Sequence, residues 1–238
     1  MTDSAWEQQL RTSVHELMHA LGFSNNDFNK YIDRRTGKRY SADVPPGADI
    51  PGVIVSSTAR GHKVSHIVLP TVVAEARAHF GCASLKGAEV EDGGSPGSAG
   101  SHLEKRVFFN DVMSPSSDPN SPSYSRVSLA VLHDSGWYDA DFSKATVLTW
   151  GRNAGCAFAG DYCLSGGRVV AGGDKYFCTP PATLPAGKDD RRCTHDRMSV
   201  GVCSVVSYTS SLPSYYQYFP DPRKVSERVP LSSSCVCA

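Results

Sequence analysis

The stretch HELMHALGFSN, residues 15–25, decides how the rest of the chain is read. His15 and His19 stand four apart, so on a helix they project from one face. Two imidazoles so placed can reach one zinc ion at about 2.0–2.1 Å. Glu16 follows His15 directly, and its carboxylate can approach a water on that ion without being a ligand. The ion lowers the pKa of that water to about 7, and Glu16 is placed to take the proton before attack on a peptide carbonyl. Gly22 falls where the extended pattern H-E-x-x-H-x-x-G-x-x-H has its glycine, but the place of the third histidine is taken by Asn25. Catalytic zinc normally has three protein ligands. Either the site is incomplete, or its third ligand lies elsewhere in the chain.

The surrounding residues 4–21 have helical spacing. Trp6, Leu10, Val14, Leu17, Met18 and Leu21 recur every three or four residues as one apolar stripe. Ser4 and Glu7 form a capping box at the start, and Gly22 is a stop. Further on, PTVVAEARAHFG (70–81) begins with proline and ends with glycine, the favoured order for a helix. YSRVSLAVLHDSGW (124–137) is a short helix capped near Ser125 and ended by Gly136. Residues 24–69 are mixed, with a turn at Thr36–Gly37, and residues 86–101 read as a flexible loop rich in glycine, serine and acid. After Trp150 the chain is rich in glycine and cysteine without helical periodicity, which places a boundary near residue 150.

The 238 residues suffice for one large domain or two small ones. Hydrophobic content of 40%, charged content of 20% and zero net charge are those of a soluble globular protein, with nothing pointing to nucleic acid or an anionic membrane as partner. No apolar run approaches the roughly 20 residues of a membrane span. The N-terminus does not read as a secretory signal, nor the C-terminus, SSSCVCA, as a lipid-anchor signal. Of eight cysteines, only Cys82 precedes residue 156. Cys156, Cys163, Cys178, Cys193, Cys203, Cys235 and Cys237 sit among turn residues without paired C-x-x-C spacing, which favours a disulfide framework and an oxidising compartment. That reading conflicts with the missing signal and suggests an incomplete chain.

The candidates for a third ligand are the other six histidines or a carboxylate. His62 and His66, in HKVSH, stand four apart but read as loop. His79 and His133 lie on expected helices as packing or surface residues, and His195 reads as surface. His102 closes the glycine-rich run GGSPGSAGSH, and Met113, in DVMSP, follows eleven residues later. A histidine closing a loop, then a methionine in a tight turn, matches the lower half of a metzincin site. A carboxylate alternative is Glu75 on the 70–81 helix, as in gluzincins.

In this order, HELMHALGFS, ARAHFGC, GSAGSHLEKR, DVMSP, VSLAVLHDSGWYDADFSKA and WGRNAGCAF resemble segments of the leishmanolysin family, surface zinc metalloproteases of the metzincin group. The likeness runs from about residue 5 to about residue 219. In that family a long insertion separates the glycine from the third histidine. The resemblance implies that His15, His19 and His102 hold one catalytic zinc ion, that Glu16 is the general base and that Met113 lies beneath the metal. It implies a disulfide between Cys82 and Cys156, and suggests another between Cys178 and Cys203. The implied architecture is α+β: the lower part of a metzincin catalytic domain, mainly helical, followed by a cysteine-rich region of loops and short strands. The segments would be the zinc helix (1–24), a central subdomain with the third ligand and methionine turn (25–150), and the cysteine-rich region (151–238). The implied activity is hydrolysis of polypeptides, at the cell surface or outside the cell. The family places a β-sheet subdomain before the zinc helix, and the final stretch PDPRKVSERVPLSSSCVCA does not resemble it, so the chain reads as truncated at both ends. A rival reading is therefore a zinc-binding surface or adhesion protein with weak or no catalysis.

Overall fold

The computed structural model describes residues 3–41, 44, 48–93, 98–116, 122–166, 168–177, 191–193, 195–197, 200–202, 206–213 and 224–225. The first element, α1 (Asp3–Ala20), is the helix expected from the apolar spacing. The Ser4 side chain lies outside the described residues. The stripe, however, divides. Met18 is buried and Val14 and Leu21 pack against the core, while Trp6, Leu10 and Leu17 are 58%, 47% and 56% exposed. The helix lies across the surface, so only one flank of its apolar arc meets the core. Gly22 ends it at φ +115°, a value that L side chains rarely adopt. A Cβ there would also lie 2.5 Å from the Trp137 ring, so the turn and its packing both require glycine.

A short hairpin follows, β1 (Ile32–Asp33) with β2 (Lys38–Arg39), turning through Gly37 at φ +68° as expected. Residues 54–67 depart from expectation. They form β3 (Ile54–Ala59) and β4 (His62–Ile67), joined by Arg60 and Gly61, both at positive φ. A two-residue turn of that kind matches the twist of a hairpin. The loop reading of His62 and His66 is thus corrected. The third strand, β5 (Ala88–Val90), pairs with β4 and is wholly buried, so the loop reading is corrected at these residues. The architecture mixes helices with small antiparallel sheets, and this three-stranded sheet tempers the mainly helical character expected before residue 150.

The next helix, α2 (Pro70–Phe80), starts with proline and ends at Gly81 in the left-handed conformation. Leu69 precedes it and has no side chain that could cap it. The cap comes instead from α4 (Arg126–Asp134), where the Asp134 carboxylate accepts from the N–H groups of Thr71 at 2.7 Å and Val72 at 3.2 Å. The start of α4 is capped by Ser125, whose Oγ accepts from Ser128 N–H at 3.2 Å. Between them lies one turn of helix, α3 (Lys105–Phe108). Just beyond α2, Cys82 is bonded to Cys156 at the start of α5 (Gly155–Gly160), across 74 residues of chain. Cys178 and Cys203 lie outside the described residues. Among the described residues Cys163 is a free, buried thiol.

One hydrophobic cluster runs from Met18 to Phe177. Trp150 is fully buried and packs against Phe109, Phe158, Tyr176 and Phe177, so residues 151–177 share the core with what precedes them. Arg106 is enclosed here too, its guanidinium about 5 Å from the Phe158 and Phe177 rings and bonded to the Phe158 and Asp161 carbonyls.

Replacing Asp134 with alanine should leave two N–H groups at the start of α2 without their acceptor. The expected cost is about 1–3 kcal/mol, read as a lower urea midpoint. An unchanged midpoint would show that the remote cap is not needed.

Candidate metal centre

Helix α1 carries His15 and His19 on one face, with ring centroids 4.6 Å apart. Each ring is turned by a backbone carbonyl. The Nδ1–H of His15 donates to Val112 O at 2.6 Å, and that of His19 to Phe23 O at 2.6 Å. The Nδ1–H of His102 donates to Ser98 O at 2.9 Å. A carbonyl can only accept, so Nδ1 holds the proton in all three neutral rings and each Nε2 keeps a free lone pair. These three Nε2 atoms converge. They lie 3.1 Å (His15–His19), 3.2 Å (His19–His102) and 3.2 Å (His15–His102) apart. Three nitrogens bound tetrahedrally to one ion at about 2.0–2.1 Å would stand roughly 3.3 Å apart. Lone pairs aimed at a common point repel unless a cation lies between them, and a three-imidazole set suits a zinc-like ion. The residues therefore fit a metal ion.

Burial favours the neutral form of two of these rings, His102 and His15. It lowers His102 to about 4, with the neighbouring His19 and His15 adding to the effect and the Ser98 carbonyl opposing it. Burial likewise lowers His15, against the pull of the Val112 carbonyl. Above pH 5, His102 is in its ligand form before any metal arrives.

His102 reaches α1 from far along the chain because two segments pair. Glu91 N–H donates to His102 O at 2.9 Å, Glu104 N–H to Glu89 O at 2.9 Å, and Gly100 N–H to Glu91 O at 2.7 Å. The intervening loop is gripped by Asn25. Its backbone N–H donates to Ser101 Oγ at 3.2 Å and its Nδ2 to Ala99 O at 3.0 Å. The residue standing where a compact pattern has its third histidine thus holds the loop that delivers the distant one. Met113 is wholly buried between two anchors of the site. Its carbonyl accepts from Leu103 N–H at 2.9 Å, beside His102, and its neighbour Val112 orients His15. The turn is held by buried Asp111, whose Oδ1 accepts from Met113 N–H at 2.7 Å and Ser128 Oγ–H at 2.5 Å. Glu16 is exposed and lines a cleft of about 190 Å³ with Arg11, Thr12, His15, Val112, Ser114 and Pro115.

The remaining candidates are engaged elsewhere. His62 faces Asp92, His66 faces Glu89, His79 bonds the Trp150 carbonyl, His133 faces Asp139 and His195 bonds Thr149. Glu75 has both carboxylate oxygens on Arg126 at 2.7 Å. The supporting groups, Asn25, Ser98, Asp111 and Val112, escaped the sequence reading because their contacts are long-range or made through the backbone.

The family model described as leishmanolysin matches residues 2–237. The chain belongs to the leishmanolysin family. A leishmanolysin of Leishmania donovani is 40% identical over 212 residues, covering 89% of this chain and 31% of its own length. A leishmanolysin-like peptidase of Drosophila melanogaster is 35% identical over 251 residues, covering 92% and 36%. One of Caenorhabditis elegans is 33% identical over 232 residues, covering 87% and 35%. The chain thus spans about a third of the length of the curated relatives it matches. Among the described residues no helix is long and apolar enough to cross a membrane.

His102→Ala should abolish stoichiometric zinc binding in metal analysis, whereas His66→Ala should leave it intact; full zinc retention by the His102 variant would exclude His102 as a ligand. Asn25→Ala should weaken zinc affinity about 10–100-fold, the usual cost of losing a group that orients a ligand. Titration of the metal-free chain by NMR should find His102 neutral throughout pH 5–8; a midpoint near the ordinary 6.5 would contradict the burial argument.

Proposed function

We propose that this chain carries the metal centre of a zinc-dependent metalloendopeptidase acting on polypeptides. The observation that supports the reading best is the convergence of three Nε2 lone pairs beside an exposed carboxylate. In this reading His15, His19 and His102 hold one zinc ion and Met113 lies beneath it. A bound zinc ion would supply Lewis acidity, both acidifying a water and polarising a peptide carbonyl.

The protein's own residues do the rest. Glu16 sits one residue beyond His15, so its carboxylate borders the centre from the cleft without entering the histidine triangle. It takes the proton of the attacking water and passes it to the departing amine, as general base and then general acid. The carbonyls of Val112, Phe23 and Ser98 hold the imidazoles in one tautomer and one orientation. The leishmanolysin relatives are the ground for polypeptides as substrates and for a location at the cell surface or outside the cell. We read residues 1–24, 25–150 and 151–238 as zinc helix, ligand-bearing subdomain and cysteine-rich region.

Glu16→Gln should keep zinc at full stoichiometry and lower the rate of peptide hydrolysis by at least about 100-fold, within the usual range for a lost general base. Loss of metal on this change, or retained activity, would remove Glu16 from that role.

A further inference from the structure

Along the segment that carries His102, the chain collects a second set of metal-type donors. Glu91, Asp92 and Glu104 each place a carboxylate oxygen within 4.8 Å of the others. The pairing of residues 89–91 with 102–104 brings them together, since Glu91 and Glu104 come from opposite partners of that pairing. Backbone N–H groups aim the carboxylates. Gly93 donates to Glu91 Oε1 at 3.0 Å, Lys105 to Glu91 Oε2 at 3.3 Å and Arg106 to Glu104 Oε1 at 3.1 Å. Arg60 is bonded to Glu89 and to the Gly160 carbonyl.

An acidic cluster alone would not mark a site, but His62 points at this one. It is only 9% exposed, and its Nδ1 lies 3.3 Å from the Arg60 carbonyl. That carbonyl can only accept, so the proton of the neutral ring sits on Nδ1 and Nε2 carries a lone pair. Nε2 makes no hydrogen bond and faces Asp92 Oδ2 at 3.4 Å. The other oxygen, Asp92 Oδ1, is also buried without a hydrogen bond. A lone pair opposite a carboxylate oxygen in a buried place is unfavourable unless a cation or a proton lies between. The backbone-fixed tautomer repeats the device seen in the histidine triangle.

We propose that Glu91, Asp92, Glu104 and His62 form a second divalent-cation site, which fastens the segment bearing His102. The donors are mainly carboxylate oxygens, which suit Ca²⁺ and Mn²⁺, and the single imidazole tilts the choice toward Mn²⁺. His62, Glu91 and Asp92 line a cavity of about 540 Å³, which gives an ion a way in. The site shares no side chain with the histidine triangle, so it stands whether or not the chain is a peptidase.

The test uses the whole chain with one equivalent of zinc bound, titrated with Mn²⁺ while free Mn²⁺ is followed by electron paramagnetic resonance. One further ion per chain is expected, with a Kd of about 10⁻⁴ M or tighter, and Ca²⁺ should compete for it. Asp92→Asn and His62→Ala should each weaken Mn²⁺ binding by at least about tenfold while zinc stays at full stoichiometry. His15→Ala/His19→Ala should lose zinc and keep the Mn²⁺ site. Should a variant not fold, the unaltered chain still decides: absence of saturable Mn²⁺ or Ca²⁺ binding overturns the proposal and leaves a shared proton as the bridge. Unchanged Mn²⁺ affinity in folded Asp92→Asn, or its loss in folded His15→Ala/His19→Ala, would overturn it equally.

Discussion

Three backbone carbonyls govern this structure. Phe23 O, Val112 O and Ser98 O each take the Nδ1 proton of one imidazole, and so oblige three Nε2 lone pairs to face one point. Each carbonyl comes from a differently built turn. Phe23 follows the glycine that ends α1, Val112 belongs to the turn around Met113, and Ser98 lies four residues before the histidine it holds. The fold's task is to keep these turns in register. Gly22, Asp111 and Asn25 do so, through a left-handed turn, a buried carboxylate and a clamp on the loop.

The distance along the chain between His19 and His102 raises an entropic difficulty, because a long excursion must return until their Nε2 atoms stand 3.2 Å apart. Two features contain it. The excursion is itself folded, with the β3–β4–β5 sheet and α2 packed into the common core. The Cys82–Cys156 bridge then ties the chain just beyond α2 to α5. In the chain-entropy account, a bridge closing so long a loop contributes about 4 kcal/mol. Burial of the imidazoles carries its own cost, which their hydrogen bonds to carbonyls offset. What remains is a set of three nitrogens placed where one metal ion could be held.

Membership of the leishmanolysin family and this geometry support the same proposed chemistry. The family match concerns the chain as a whole. The geometry concerns specific atoms, and it accounts for Asn25 in the third-histidine position. That residue hydrogen-bonds to the loop that carries His102. Trp6, Leu10 and Leu17 on the outer flank of α1 mark where the helix offers apolar surface without burying it.

The sequence alone determined what depends on neighbours along the chain. The four-residue spacing of His15 and His19, the helix read from the apolar period of α1, the proline-to-glycine punctuation of α2 and the Ser125 cap all act within one or two helical turns, and each appears in the structure, although only part of the α1 stripe is buried. Resemblance singled out His102 and Met113, but residue spacing alone left several histidines open. Only the tertiary structure decided which of them approach α1. It also put His62 and His66 on a strand, placed β5 inside what read as loop, supplied the α2 cap from Asp134 and gathered Glu91, Asp92 and Glu104 into one cluster. These arrangements rest on hydrogen bonds and burial between segments tens of residues apart. Their energy appears only once the loop-closure entropy has been overcome by the whole core, so no local pattern of residues can carry them.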